Sequence, residues 1–228
     1  MFEELVKSVI EELSNSPKIT IYCIKIDTPT SDLVTDNIVE FRKSINQNKL
    51  NLILDIDGTI IDANLNDYLI LRPHYTDLFE FCLNNQISTY LWTCGETEHA
   101  NRVIDAINGS RYLSKVLCRG NSWYDNVYTI KKLRWLSRKI NNILLIDNTL
   151  QMSTGQCDNT IIIPTFEAIN IWSYKVNKDA FDDDKLVKLI DFLIGLIGSE
   201  KNVPEYLNSH LELTTNKDSY RTLKYHTI

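Results

Sequence analysis

Strand-like and helix-like patterns alternate along most of this chain, and the alternation restricts the fold more than any other feature. Dense apolar runs that predict buried strands are found at Lys49–Asp55, Ile87–Trp92, Lys115–Cys118, Ile143–Ile146 and Thr160–Ile163. Amphipathic segments that predict helices lie at residues 74–85, Glu96–Ile107, Thr129–Ile140 and Lys185–Ile197. This order favours an α/β fold, a Rossmann-like parallel sheet with helices on both faces.

Residues 1–48 predict an α-β-α extension packed on this core. One helical face is apolar, a strand follows at Ile19–Ile26, and a second helix carries Val34, Ile38, Phe41 and Ile45, with Ser31 or Asp32 as N-cap. The first face comprises Phe2, Leu5, Val6, Val9, Ile10 and Leu13. Such a face needs a covering surface: the core, a roof over a cleft, or a second copy in a homodimer. We expect the main domain at residues 49–213 and a loosely held polar tail at 214–228.

Composition excludes several functional classes. The 228 residues carry a net charge of −6, so we expect no direct nucleic-acid or membrane-surface binding, both of which rely on a basic field. No apolar run approaches a membrane span, and the acidic amphipathic start is unlike a signal peptide. The 5 cysteines are scattered without a C-x-x-C pair. We therefore expect a cytoplasmic or nuclear protein that is not secreted.

Polar residues end the predicted strands. In an open α/β sheet the site lies beyond the carboxyl ends of the strands. The first strand ends in Asp55-Ile56-Asp57-Gly58-Thr59, a later one in Thr93-Cys94-Gly95, and another in Asp147-Asn148, while a Lys131-Lys132 pair opens the predicted helix after Thr129. Each motif alone is also typical of an ordinary turn or a solvated charge, and a D-x-D-G also opens calcium loops. The remaining calcium ligands are absent here.

Together these residues predict phosphoryl-transfer chemistry. Asp55, Asp57 and the Asp147-Asn148 end provide the hard oxygen ligands that Mg²⁺ prefers. Asp55 is the candidate nucleophile, and Asp57 is the candidate acid and base. Lys131 neutralises phosphoryl charge, and Thr93 with the following amides, including that of Cys94, binds phosphate at a helix N-terminus.

The motifs resemble, in order, those of the haloacid dehalogenase superfamily, and within it the small RNA polymerase II C-terminal-domain phosphatases, or NLI-interacting-factor-like phosphatases. LILDIDGT resembles the nucleophile motif, LRPHYTDLFEFC the Arg-Pro helix start, and YLWTCGETEHANRVIDAI the second motif. The Lys and metal motifs are matched by LCRGNSWYDNVYTIKKLRWLSRKINNILLIDNT, and NVPEYL resembles the closing helix. The resemblance implies that Asp55 is the nucleophile, Asp57 the acid/base, Thr93 and Lys131 phosphate ligands, and Asn148, beside Asp147, a metal ligand. It favours Lys131 over Lys132.

The chain also departs from this family. Gly58 replaces the usual Glu or Gln, and the hairpin at Ile60–Leu71 is too short for the β-insert that helps form a peptide groove. No large cap is expected. The leading expectation is a Mg²⁺-dependent phosphoprotein Ser/Thr phosphatase, with a polymerase-tail-like substrate as the specific case. A small-molecule phosphatase with the N-terminal helices as lid, or a non-catalytic binding module, are the alternatives. Frequent Asn and Ile suit an AT-rich genome, such as that of a large DNA virus.

Overall fold

The computed structural model describes residues 2–25, 28–65, 67–126, 129–170, 172–211, 213–217 and 222–228. Its α-helices, numbered α1 to α6 in chain order, are Phe2–Ser14, Ile38–Ser44, Tyr75–Asn84, Thr97–Ala106, Lys185–Ile197 and Val203–His210. Its strands, numbered β1 to β13, are Thr20–Cys23, Val34–Thr35, Asn51–Leu54, Ile61–Leu65, Tyr68–Leu71, Ser88–Trp92, Leu113–Leu117, Ile143–Asp147, Thr160–Ile162, Ile169–Asn170, Lys175–Val176, Leu213–Lys217 and Thr222–Thr227. No helix in these ranges is long and apolar enough to cross a bilayer.

The main sheet has the order β12-β13-β9-β8-β3-β6-β7-β2. Its neighbouring strands are parallel except for the antiparallel β12-β13 pair. Helices α3, α4, α5 and α6 cover one face, and α2 with a 3-10 turn at Leu133–Trp135 covers the other. The described residues include no large cap domain. The predicted α/β Rossmann-like fold is confirmed.

Strand β3 lies at the centre of this sheet, between β8 and β6, and all four of its residues are buried. Leu52 and Leu54 pack on the side of α3 to α6, whereas Ile53 packs with Phe41 of α2. Burial on both faces explains why Leu52, Ile53 and Leu54 are all apolar instead of alternating with polar residues. Asp55 therefore follows the middle strand at the carboxyl edge of the sheet.

The helix predicted at Thr129–Ile140 is wrong, because the structure has only the 3-10 turn at Leu133–Trp135 there. The backbone of Lys131 is engaged elsewhere: its N–H donates to the Met152 carbonyl at 3.0 Å, and its carbonyl accepts from the Gln156 side chain. These tertiary bonds take the place of helical ones, so the apolar spacing here reflects packing and not a helix.

The helix predicted after Ser31 or Asp32 is also wrong at its start. Val34 lies in β2, which adds to the sheet edge beside β7. Helix α2 begins later, and its N-cap is Asn37, whose side chain accepts from the backbone N–H groups of residues 39 and 40. The open backbone groups at the edge of β7 favour a strand here over one more helical turn.

The N-terminal extension completes a second, small sheet with the order β1-β5-β4. Strand β1 pairs antiparallel with β5 of the short hairpin, from Thr20 opposite Leu71 to Cys23 opposite Tyr68. Val9 and Leu13 of α1 are buried in a cluster with hairpin residues. This part of the apolar face is therefore covered by the chain itself. Residue Ile26, at the end of the predicted strand, lies outside the described residues.

The C-terminal tail extends the main sheet. Strand β13 pairs in parallel with β9, placing His226 beside Ile161, and His226 is fully buried. The edge of β9 offers backbone groups that this further strand satisfies. The expectation that the tail from Thr214 is loosely held stays a prediction. Residues 218–221 lie outside the described part.

Candidate active site

Three adjacent strands bring the predicted site residues to one edge of the sheet. Leu54 of β3 is in register with Leu91 of β6 and Ile146 of β8. Asp55 and Thr93 come at or just beyond the ends of their strands, and Asp147 is the last residue of β8. Parallel register thus brings together side chains that are up to 92 positions apart in the sequence.

Lys131 connects two carboxylates beneath this edge. Its side chain is fully buried, and its Nζ donates to Asp55 Oδ1 and, at 2.8 Å, to Asp147 Oδ2. The other oxygen of Asp147 accepts from the backbone N–H of Thr149 at 2.8 Å. Asp147 therefore fixes Lys131 beside Asp55. Lys132 lies outside this cluster, with its Nζ 5.0 Å from the ring centre of Trp135.

The cluster shifts the pKa of both groups at its centre. Burial raises the pKa of Asp55 to about 7. The positive charge of Lys131 acts to lower this pKa, and the negative charge of Asp147 acts to raise it. Burial acts to lower the pKa of Lys131, but the charges of Asp147 and Asp55 raise it above its usual value. One ammonium thus faces two carboxylates, an arrangement that favours a further cation when both carboxylates are ionised.

Asp55 Oδ2, which is not the oxygen bonded to Lys131, lies close to the Asp57 carbonyl oxygen and the Asn148 amide. The end of the Asn148 amide lies 3.2 Å from the carbonyl oxygen of Asp57 and 3.3 Å from Asp55 Oδ2. With its nitrogen turned inward, the amide donates to both. With its oxygen inward, the Asn148 oxygen lies from each of the other two oxygens at nearly the spacing of adjacent ligands around octahedral Mg²⁺, about 3 Å for metal–oxygen distances of roughly 2.1 Å. Thr59 Oγ1 then donates to the Asn148 oxygen at 3.4 Å. This donor set fits Mg²⁺.

The metal arrangement differs from a cluster of charged ligands. Among the described residues, no group of three or more His, Cys, Asp or Glu side chains is placed to hold a metal ion. The set above uses one carboxylate, one backbone carbonyl and one amide. Asp57 contributes its backbone carbonyl to this set, whereas Asp147 lies outside it and bonds to Lys131. The predicted role of Asp147 as a direct metal ligand stays a prediction.

Gly58 allows the turn that brings the Asp57 carbonyl into this set. Its φ is +74°, a left-handed value that favours glycine, and a Cβ there would lie 2.4 Å from Asn148 Nδ2. Its N–H donates to Ile61 O at 2.8 Å, and its carbonyl accepts from Phe166 N at 2.7 Å. The residue that departs from the family pattern is thus tied closely to the backbone on both sides of the cleft.

Arg72 stabilises the loop after Asp57 from the interior of the protein, through contacts that were not predicted from the sequence. The buried guanidinium donates to the carbonyls of Thr59 and Pro164, each at 3.0 Å, and its Nε and Nη2 bond both oxygens of Asp183 at 2.9 Å. An arginine directly after the apolar strand YLIL was the available signal. Its five donors suit several carbonyls and a carboxylate at once.

The Asp57 carboxylate lies at the mouth of the site and is 48% exposed. It faces His99 of α4, whose Nε2 is 2.9 Å from Oδ1 and 3.1 Å from Oδ2. His99 could not be identified from the sequence, because nothing in the spacing of an early helical residue links it to a strand end. A cleft of about 360 Å³ opens beside Asp57, between Gly58, Asn148 and the segment Thr165–Glu167.

Thr93 and Cys94 form the start of the loop before α4. Thr93 is buried, and its Oγ1 accepts from the Gly95 N–H at 2.8 Å. Cys94 is half-buried, and its carbonyl accepts from Arg119 Nε at 2.7 Å. The N-cap residue Glu96 makes no side-chain capping bond. The predicted phosphate-binding segment therefore precedes a helix N-terminus close to Asp55.

The chain is similar to one protein family and to several solved structures. Residues 50–204 match the model of the NLI interacting factor-like phosphatase family. The structure is similar to that of Fcp1, an essential RNA polymerase II CTD phosphatase, at 17% identity and a TM-score of 0.43, covering 74% of this chain and 58% of that one. It is also similar to an arginine-to-alanine variant of fission yeast Fcp1 bound to beryllium fluoride, at 18% identity and a TM-score of 0.43, covering 75% and 57%.

The chain thus spans less than two thirds of the length of these two solved structures. No match was found among curated proteins. The family match covers more than half of the sequence and contains the strand ends described above, from Asp55 to Asn148. The resemblance drawn from the motifs is confirmed: the chain belongs to the NLI interacting factor-like phosphatase family.

Proposed function

We propose that this protein is a Mg²⁺-dependent phosphatase that acts on phosphorylated Ser or Thr of a protein through an aspartyl-phosphate on Asp55. The observation that carries the proposal is the buried contact of Lys131 with Asp55 and Asp147 beneath the converging atoms of Asp55, Asp57 and Asn148. A carboxylate attacks a phosphoryl group only where the negative charge of that group is offset.

The residues divide the reaction into two displacements. An Asp55 oxygen attacks phosphorus while the bond from phosphorus to the substrate oxygen breaks, and Asp57 donates a proton to that oxygen. Asp57 then takes a proton from water, whose oxygen attacks phosphorus, releases phosphate and restores Asp55. Lys131 and the segment from Thr93 to Cys94 bind the phosphoryl oxygens. Asp55, the Asp57 carbonyl and Asn148 would hold Mg²⁺, which when bound would offset the charge of those oxygens.

The open mouth of the site supports a protein substrate. Asp57 is half-exposed, and no cap domain lies among the described residues. A small-molecule phosphatase needs another means of excluding water, and the buried part of α1 packs in the small sheet. The family match supports a phosphatase. The motif resemblance to the C-terminal-domain phosphatases makes a phosphorylated polymerase-tail-like peptide the first substrate to test. Nuclear or cytoplasmic location follows as part of the same proposal. A homodimer through residues 1–48 remains a prediction.

Turnover by the full chain tests the proposal. We expect hydrolysis of a phosphoserine peptide and of p-nitrophenyl phosphate in Mg²⁺, little of sugar phosphates, and loss of activity with excess chelator. Asp55→Asn should abolish turnover, and beryllofluoride should bind wild type but not this variant. The matched control is Asp191→Asn, an exposed aspartate on α5. Preference for sugar phosphates would favour the small-molecule alternative, and full activity of Asp55→Asn would contradict the mechanism.

The leaving group separates the role of Asp57 from that of Asp55. Nitrophenolate leaves without a proton, whereas the serine alkoxide needs one. General acid catalysis typically contributes roughly 10²–10⁴-fold. Asp57→Asn should therefore slow the phosphoserine peptide far more than p-nitrophenyl phosphate. Equal losses on the two substrates would show that Asp57 does not transfer the proton.

A further inference from the structure

His99 joins α4 to the loop that carries Asp57. The residue is in the first turn of α4, and its side chain is 22% exposed. Its Nε2 is within hydrogen-bond distance of both oxygens of the Asp57 carboxylate, at 2.9 and 3.1 Å. Among the described residues, this imidazole is the one hydrogen-bond partner of that carboxylate, which is otherwise open to solvent.

The ring also lies close to the loop before α4. The imidazole packs over Gly95, where an added Cβ would lie 2.6 Å from His99 Cδ2 and 3.2 Å from Thr93 Oγ1. Space for the ring thus depends on the absence of a side chain at position 95. The ring contacts the predicted phosphate-binding loop on one side and Asp57 on the other.

We propose that His99 is a positioning residue that holds the Asp57 carboxylate oriented for proton transfer to the leaving oxygen. The inference rests on the proposed phosphatase function. A half-exposed aspartate otherwise samples several rotamers, and only those that face the substrate oxygen transfer a proton. A bond shared by both carboxylate oxygens restricts this motion, while the contact with Gly95 keeps the imidazole itself in place.

The loss expected on removal of His99 is moderate and depends on the substrate. Misplacement of a reacting group by about 1 Å costs up to roughly 10²-fold, and a freed rotamer is a smaller fault, so we expect about 10-fold on the phosphoserine peptide. p-Nitrophenyl phosphate, whose leaving group needs no proton, should change by less than about threefold. Attack by Asp55 does not involve His99, so this difference isolates the contact with Asp57.

Three variants of the full chain test the proposal. His99→Phe keeps a ring over Gly95 but loses the donor, and His99→Gln keeps an amide donor of similar reach. Arg102→Gln is the control, because it removes an exposed ion pair with Glu98 from the same helix, outside the cleft. We expect the substrate-selective loss in His99→Phe, recovery to within about threefold of wild type in His99→Gln, and no change in the control.

A double-mutant cycle completes the experiment. In the Asp57→Asn background, His99→Phe should have almost no further effect on the phosphoserine peptide, because the group it positions is gone. An additive loss, an equal loss on both substrates, an unchanged rate or a faster rate in His99→Phe would each overturn the role of His99. Activity retained by Asp55→Asn would instead overturn the phosphatase mechanism, so the two failures are distinguishable.

Discussion

The neighbouring residues Asp182 and Asp183 offer a test of how the loop after Asp57 is stabilised. Asp183 is bonded through both oxygens to the fully buried guanidinium of Arg72 and is itself only 14% exposed. Asp182 pairs with Lys18 at 2.7 Å, but the two side chains are 84% and 53% exposed. The same substitution, Asp to Asn, therefore removes a buried ion pair at one position and a solvated pair at the next.

The expected losses of stability differ severalfold. Breaking a buried ion pair by removing one partner costs about 3–5 kcal/mol, because the remaining charge stays buried. Asparagine keeps one acceptor for Arg72, so the free energy of unfolding should fall by about 3 kcal/mol in Asp183→Asn, toward the low end of that range. Solvated pairs contribute about 0–1 kcal/mol, which bounds the loss in Asp182→Asn.

Urea unfolding followed by circular dichroism measures both losses. For a chain of this size, 1 kcal/mol corresponds to about 2–4 °C in Tm, so Asp183→Asn should melt roughly 6–12 °C lower. Because Arg72 also holds the carbonyl of Thr59, the variant should lose activity even at temperatures where it is folded. Equal stability of the two variants would refute the reasoning, since it would show that the Arg72 bonds contribute no more than an exposed pair.

Three further predictions concern the cleft and its supports. Gly58→Ala and Gly155→Ala each place a side chain at positive φ, which should lower the free energy of unfolding by about 1–2 kcal/mol. Only the Cβ at position 58 meets Asn148, so only Gly58→Ala should raise the Mg²⁺ concentration that gives a half-maximal rate. Burial raises the pKa of Asp62 in the folded protein above its unfolded value of about 3.9. The contribution of Asp62 to the free energy of unfolding is therefore largest below the unfolded pKa, and it falls as the pH rises through the folded pKa. Asp62→Asn should therefore lose more stability relative to wild type at pH 4 than at pH 7 by urea unfolding; equal losses contradict this. Deleting residues 1–48 should give insoluble protein, because it uncovers the apolar cluster around Phe41 and the one around Leu13. A soluble, folded truncation that is monomeric where its parent is dimeric would instead support the homodimer.

The fold and the meeting of the strand ends could be predicted because both depend on local patterns. A dense apolar run such as Leu52–Leu54 indicates a strand buried on both faces, and parallel register then brings the residues after such strands to one edge. Which helix covers which face makes no difference to this meeting of strand ends. Asp55, Thr93 and Asp147 are therefore predicted to lie together from the sequence alone, and the structure has them there.

Contacts between residues without a shared pattern could not be predicted. The bond of His99 to Asp57 depends on where the first turn of α4 points, and the contact of Arg72 with Asp183 joins positions 111 residues apart. The false helix at Thr129–Ile140 has a related cause. Its apolar spacing is real, but the Lys131 backbone bonds to residues 152 and 156, and such tertiary bonds outweigh helix propensity.

The N-terminal extension affects the site through the small sheet. A two-stranded hairpin as short as β4-β5 is marginally stable alone, and β1 supplies the third strand that makes such a sheet persist. The hairpin in turn holds a wall of the cleft, because Asp62 Oδ2 accepts from the N–H groups of Ala168 and Ile169 at 2.8 and 3.0 Å. Residues far from the nucleophile in the sequence thus stabilise the segment that carries Phe166, whose N–H bonds Gly58 at 2.7 Å. The position of the Asp57 carbonyl therefore depends on the extension as well as on the main sheet.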